Sequence, residues 1–478
     1  MINKHISELS NLFANVSYGP QKGYAETKSR NSIVVKPETI DECKKLINYC
    51  CNEEIKICCR GGGFSYGDMI LNTEELILDT SLMNKVLDWE PKTGLIVVQP
   101  GVSFASVFQL SLMDNWALTS CPGGMDVTIA GAISNNVHGK DAWKNGNFGS
   151  QVSSIELMLA DSKIIKIDRS EIDIFNSVIG GMGLFGVILK IKLQLKKIPS
   201  PFVRVRTQLS KNIEDSIEII ESREKDSDFI VSWVDAFAKG QSIGRGYVSS
   251  ASWVEGKIET SKAEIKRSLT KSKLVFGILP AKPIWFLGRL FFRPLFLKYL
   301  NKLHYYIAKI IFSNPDKFSE PILFTDYNFM HNKIPDIREV YRPHGFFEFE
   351  PLLPKNQGKK SLKALLELCQ SLKAESLLCA IKSHKSDEFN ISFEGEGYSI
   401  GIDIEGAARG RNNIFKYIDA ISKFTIEQKG KIYLAKDECL SRDDFYHMYP
   451  KYKKFLKLKK ELDPKDIFYS DMYKRLMG

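Results

Sequence analysis

Among its 478 residues the chain has no run of 18 uncharged apolar residues, so no helix of bilayer-spanning length is expected. The opening MINKHISELSNLF lacks the apolar centre of a secretory leader. The expected location is therefore cytoplasmic or peripheral to a membrane. The nine cysteines, at 43, 50, 51, 58, 59, 121, 369, 379 and 439, are odd in number, and two pairs of them are adjacent. That pattern suits neither a disulfide framework nor a zinc site, so free thiols in a reducing compartment and no metal are expected. The common nucleotide fingerprints are missing too. No GxGxxG opens a helix with an acid about 20 residues on, and no glycine loop ends in Gly-Lys-Ser or Gly-Lys-Thr. There is no internal repeat. From Ile265 to Pro315 there is no Asp or Glu, against ten basic residues: Lys266, Arg267, Lys271, Lys273, Lys282, Arg289, Arg293, Lys298, Lys302 and Lys309. The whole formal excess of +10 thus sits in this one segment.

Glycine, by contrast, is concentrated in two loops. Arg60-Gly61-Gly62-Gly63-Phe64-Ser65-Tyr66-Gly67 is the first. The second runs from Pro122 to Lys140, with Gly123, Gly124, Thr128, Gly131, Ala132, Asn135, His138 and Gly139. Glycine costs regular structure roughly 0.5–1 kcal/mol relative to alanine, so such clusters serve turns or the close approach of something flat or anionic. Backbone N–H groups in a glycine nest bind a pyrophosphate without side-chain cations. Two separated nests suggest one long nucleotide. A tight turn between strands is the competing reading of either loop alone.

Hydrophobic periodicity gives an α+β fold. Strand, helix, strand is expected over 33–60, with Thr39 capping a helix that buries Cys43, Leu46, Ile47 and Cys50. Further strands follow at 76–79, 95–98, 155–160, 164–167 and 187–195. The pattern breaks near Pro199-Ser200-Pro201. Beyond it, Phe346 to Glu350 and Ser399 to Ile404 alternate as strands, 413–428 reads as an amphipathic helix, and the strand 432–435 delivers Lys436.

On these residues the chain resembles a known family. SYGD (65–68), VTIAGAI (127–133), HGK (138–140), the Phe148-Gly149 pair and GGMGLFGVI (180–188) are similar to the FAD domain of the vanillyl-alcohol oxidase superfamily. With Ser232 to Ala236, Gly345 to Phe347, Ile381-Lys382, Tyr433 to Asp437, His447 to Pro450 and Phe468 to Met472, the likeness is greatest to its decaprenylphosphoryl-β-D-ribose 2'-oxidase family. Residues 239–330 fit that family poorly. The resemblance implies a two-domain flavoprotein with a split FAD-binding (PCMH-type) domain, 1–198 and 430–478. Between them lies an inserted antiparallel-sheet substrate domain, 199–429. It implies FAD held by both glycine loops and by Gly183, Gly186 and Val187. It implies oxidation of polyprenylphosphoryl-β-D-ribose to its 2-keto form by hydride transfer to flavin N5, as half of an epimerisation that a short-chain reductase partner completes in building cell-envelope polysaccharide. Many members carry a flavin-linked histidine where this chain has Phe64, so non-covalent FAD is expected. Cys121 is the one neighbouring alternative for a covalent link.

A cation or hydrogen-bond donor at the flavin's N1–C2 edge stabilises reduction, which makes His138 and Lys436 the catalytic candidates. The hydroxyl proton needs a base, and Lys382 and Lys436 are both open. Lys140 contacts phosphate or faces water. Tyr66 touches the flavin or fills core. Trp233, Phe349, Lys382 and Gly401 are the substrate candidates, Phe349 and Gly401 being departures from the family pattern.

The segment 274–312 mixes its basic residues with Trp285, Phe286, Leu290, Phe291, Phe292, Leu295, Phe296, Leu297, Tyr305 and Tyr306. Such a mixture suits an anionic bilayer surface, with a core-packing insertion as the alternative, and it is too apolar for nucleic acid. Two rival functions stand beside the lipid-linked sugar oxidase. One is a soluble sugar or aldonolactone oxidase. The other is a membrane-associated binding protein with a vestigial flavin site.

Overall fold

The computed structural model describes residues 2–256, 258–275, 278–291, 294–329, 334–376, 378–405 and 411–478. Of the segment residues named above, Phe292 and Arg293 lie outside the described residues, as do the side chains of Leu290, Phe291 and Leu295. The fold mixes helix and sheet.

A four-stranded sheet runs in the order Val16–Lys22, Ser29–Val35, Leu76–Asp79, Ile57–Arg60. Leu76–Asp79 is buried along its length because parallel strands flank it on both sides. The helix Ile40–Asn52 is capped by Thr39, whose hydroxyl accepts from the Glu42 N–H. It buries Cys43, Leu46, Ile47 and Cys50 against this sheet, as its periodicity predicts. A five-stranded antiparallel sheet follows, in the order Val86–Glu90, Leu95–Val98, Val187–Gln194, Val152–Met158, Ile164–Asp168. Past Pro199-Ser200-Pro201 the chain enters a nine-stranded sheet. There Phe202–Ser210, Gly246–Trp253, Phe229–Val234, Cys379–His384 and Gly397–Glu405 lie side by side.

The C-terminal segment ties the sheets together. Lys431–Ile432 adds an edge strand to the nine-stranded sheet, and Phe468 bridges to Ile57 of the four-stranded one. Arg475 donates to both carboxylate oxygens of Asp68 at 2.9 Å and to Asp437 Oδ2 at 3.0 Å. Both carboxylates are buried. Arg475→Leu leaves two buried charges without their shared partner and is expected to cost about 3 kcal/mol, read as a lower urea midpoint.

Candidate functional site

Alternation along three neighbouring strands builds the site. In a strand, residues two apart share a face. Phe346–Phe349 runs antiparallel to Gly397–Glu405 with Glu348 opposite Asp403, and Cys379–His384 pairs on the other side with Ala380 opposite Gly401 and Lys382 opposite Ser399. Glu348, Glu350, Gly401, Asp403, Ala380 and Lys382 therefore point together into a cavity of about 690 Å³. Phe349, Ile381, Ile400 and Ile402 point the opposite way, into core.

Lys436 arrives from the turn after Lys431–Ile432. Its Nζ contacts Glu348 and lies 2.7 Å from Glu350 Oε2. Lys382 Nζ lies 3.8 Å and His138 Nε2 3.4 Å from Glu350 Oε1. Ser399 Oγ donates to the same oxygen at 2.9 Å and contacts His384 Nε2 at 2.8 Å. Burial alone would lower Lys436, but the charges of Glu348 and Glu350 outweigh it and hold the ammonium well above its ordinary range. Burial alone would raise Glu350, but Lys436, Lys382 and His138 keep it well below the usual carboxylate range. Burial pulls Lys382 and His138 down, and burial with the neighbouring His138 pulls His384 well down. The two carboxylates thus favour the charged form of Lys436, while burial disfavours the charged form of both imidazoles.

The opposite wall is made of the two glycine loops, brought into contact. A Cβ on Gly61 would sit 2.2 Å from Thr128 Oγ1, and one on Gly62 2.8 Å from the Asp126 carbonyl. Gly63 and Gly183 have φ of +75° and +74°. Thr128 caps the helix Ile129–Ser134 by accepting from the Gly131 N–H. The first loop is held to the cation's turn, since the Tyr66 N–H donates to the Ala435 carbonyl at 2.9 Å.

Arg60, Gly61, Gly62, Gly63, Phe64, Ser65, Tyr66, Pro122, Gly123, Gly124, Thr128, Gly131, Asn135, His138, Gly139, Lys140, Gly183, Gly186 and Val187 all line the cavity, as do Lys382, Gly401 and Lys436. Five candidates stand off its wall. Phe349 faces core by strand alternation, whereas Glu348 and Glu350 face the chamber. Phe148 packs on Phe104, and Ala132 lies on the buried side of its short helix. The Gly67 backbone packs against Asp437 and Glu438. Trp233 is on the same sheet face as Ala380 but one strand beyond, stacked on Tyr247 and against His304. The Lys140 ammonium donates to the Tyr327 carbonyl at 2.8 Å and sits 4.0 Å above that ring. Tyr66 packs its ring on Tyr24 and Phe346, with Lys436 5.5 Å away. Glu348, Glu350, Asp403, Ser399 and His384 were not singled out from sequence. The available signal was Phe-Glu-Phe-Glu at 347–350, two acids on one face of an otherwise apolar strand.

Comparison with known proteins bears directly on this cavity. An FAD binding domain profile matches residues 32–168, and a D-arabinono-1,4-lactone oxidase profile matches 299–476. The decaprenylphosphoryl-beta-D-ribose oxidase of Mycolicibacterium smegmatis is 24% identical over 87% of this chain and 88% of its own. A putative D-arabinono-1,4-lactone oxidase of Neurospora crassa is 25% identical over 42% of this chain and 36% of its own. The L-gulonolactone oxidase of Mus musculus is 25% identical over 40% and 43%. The chain thus carries matches to an FAD binding domain and to a D-arabinono-1,4-lactone oxidase domain, and it is similar to flavin-dependent oxidases. It is an FAD-dependent oxidoreductase acting on alcohols.

The cavity suits that cofactor. Its glycine wall leaves no room for side chains where a pyrophosphate must approach backbone, and the buried Asn135 Oδ1 and His138 Nδ1 there have no protein partner. Gly61→Ala forces the two loops apart. It is expected to weaken FAD binding to the apoprotein at least roughly tenfold, the scale of about 1.4 kcal/mol, in a fluorescence titration, with the far-ultraviolet circular dichroism unchanged.

Proposed function

We propose that this oxidoreductase converts a secondary hydroxyl of a lipid-linked sugar to a ketone, with polyprenylphosphoryl-β-D-ribose giving its 2-keto form. Bound in the cavity, FAD supplies the two-electron acceptor for the carbinol hydrogen. The fixed Lys436 cation stabilises negative charge developing beside it. Glu350, Lys382 and Ser399 offer the donors and acceptors that orient a polyol. The cofactor is held without a covalent link. Phe64 carries no nucleophile, and the buried Cys121 thiol donates to the Leu118 carbonyl at 3.3 Å while burial pushes its acidity well up.

One observation carries the lipid-linked reading: an outward apolar surface is fastened to the cavity wall. Thirteen of the twenty-five large apolar side chains exposed among the described residues fall between 274 and 311. The helix Pro294–Ile311 carries large apolar side chains on its exposed face as well as its buried one. It turns Leu297, Asn301 and Ala308 inward and leaves Tyr299, Leu303, Ile307, Ile310 and Ile311 exposed beside Lys298, Lys302 and Lys309. Such a patch marks an interaction site, and its basic residues suit anionic headgroups at about 1 kcal/mol each. No helix among the described residues is long and apolar enough to cross a membrane, so the patch lies on the bilayer in this reading. The neighbouring helix Ala281–Phe291 is pinned to the segment 335–339, of which Pro335 to Arg338 line the cavity. Trp285 Nε1 donates to the Pro335 carbonyl at 2.6 Å, and Arg289 Nε to the Glu339 carbonyl at 2.8 Å. The name of the M. smegmatis relative points to the same substrate class. A short-chain reductase acting on the ketone is the partner this reading calls for.

The lactone-oxidase profile over 299–476 favours a second reading, oxidation of a soluble sugar or aldonolactone. Anaerobic mixing separates the two. Polyprenylphosphoryl-ribose in anionic vesicles is expected to bleach the flavin roughly 100-fold faster than ribose 5-phosphate or an aldonolactone at equal concentration, because the remote lipid supplies binding energy. Faster bleaching by the lactone supports the second reading instead.

A further inference from the structure

The cavity floor holds a feature that the clamp on Lys436 does not explain. Glu348 and Asp403 face one another directly across adjacent antiparallel strands, and both line the cavity. Two carboxylate charges in that arrangement repel, unless the pair keeps a proton. Burial, and then the charge of Glu348, push Asp403 well above the ordinary carboxylate range. The room for this contact comes from Gly401, two residues before Asp403, where a Cβ would come 3.3 Å from Glu348 Oε1. Facing the pair are Lys436 from the turn, Glu350 on the same strand and Lys382 one strand beyond. The phenols of Tyr24 and Tyr66 complete the surroundings on this face, and the Cys379 thiol lies on the opposite face of its strand, across from Ile402.

Resting on the oxidase reading above, we propose that Glu348 and Asp403 form a proton-sharing carboxylate pair, and that Glu348 takes the hydroxyl proton of the substrate during its oxidation. The balance is complete. The O–H bond breaks and its proton goes to the Glu348 carboxylate. The C–H bond breaks, and its hydrogen leaves with both electrons for the bound FAD, which is reduced. The carbonyl forms from the electron pair left on oxygen. Before the step the cluster is neutral overall: Lys436 and Lys382 are balanced by Glu350 and the singly protonated pair. After the step it carries one positive charge, which offsets the negative charge gained by the electron acceptor. Lys436 is excluded as the acceptor, since its two carboxylate partners keep it an ammonium throughout. Lys382 is the rival, and it stands apart from the pair, against Glu350 and across from Ser399.

Two readouts on the FAD-loaded protein test this. The first needs no substrate. A carboxyl raised in the folded state contributes stability that is present below its unfolded pKa of about 4 and lost as pH rises through its folded value. The melting temperature of the wild type is therefore expected to fall relative to Asp403→Asn as pH rises from about 4 to 8. Glu348→Gln, which removes the charge acting on Asp403, is expected to shrink that slope. A difference that stays flat with pH for both variants overturns the pair. The second readout is anaerobic bleaching. Glu348→Gln is expected to slow it roughly 100-fold or more with flavin content and substrate affinity unchanged, and Asp403→Asn to move the acid limb of the pH profile. Bleaching within about threefold of wild type in Glu348→Gln, with the loss appearing in Lys382→Met instead, overturns the acceptor role. A wild-type flavin that no alcohol bleaches overturns the oxidase reading and with it the acceptor role. The melting curves report on the shared proton independently, so the two failures are distinguishable.

Discussion

The Lys436 ammonium, held between the carboxylates of Glu348 and Glu350, is the constraint on which the site depends. An isolated buried cation is too costly to keep charged, and two carboxylates this close repel unless something lies between them. Each is stable only because the others are there. The arrangement fixes the turn that follows Lys431–Ile432 against the strand that starts at Phe346. Through the Tyr66 N–H it also fixes the first glycine loop. Removing the ammonium would leave buried acids facing the cofactor cavity, with the electrostatics of the floor inverted.

The opposite wall obeys a steric rule. The two glycine loops come close together because the first carries no side chain at Gly61 and Gly62, where it meets the Thr128 hydroxyl and the Asp126 carbonyl of the second. The cavity is thus bounded by bare backbone on one side and by paired charge on the other. That asymmetry suits a cofactor with an anionic stretch at one end and a redox ring at the other. Arg475, gripping Asp68 after the first loop and Asp437 after Lys436, braces the two walls at a common point.

Much of this was legible in the sequence, and the exceptions have physical causes. The capped helix over 40–52 and the glycine loops are local features, written in periodicity and turn chemistry, and the structure has them where the residues predict. The substrate face depends on strand register, which sequence does not reveal. A one-residue change of phase turns Phe349 inward to core and Glu348 and Glu350 toward the chamber. Trp233 sits on the correct face but one strand too far from the cavity, a displacement set by sheet order alone. Asp403 and His384 matter only through what the sheet places opposite or beside them. The basic, apolar segment was legible as a composition. Which of its apolar residues stay exposed, Ile310 and Ile311 among them, needed the fold to be seen.

The account turns on a positive charge fixed where the cofactor gathers negative charge. The most direct measurement is the midpoint potential of bound FAD in the wild type and in Lys436→Met, by spectroelectrochemistry. The account predicts a potential lower in the variant by roughly 20–60 mV, equivalent to about 1–3 kcal/mol for a two-electron couple. A potential unchanged by loss of the ammonium would contradict it.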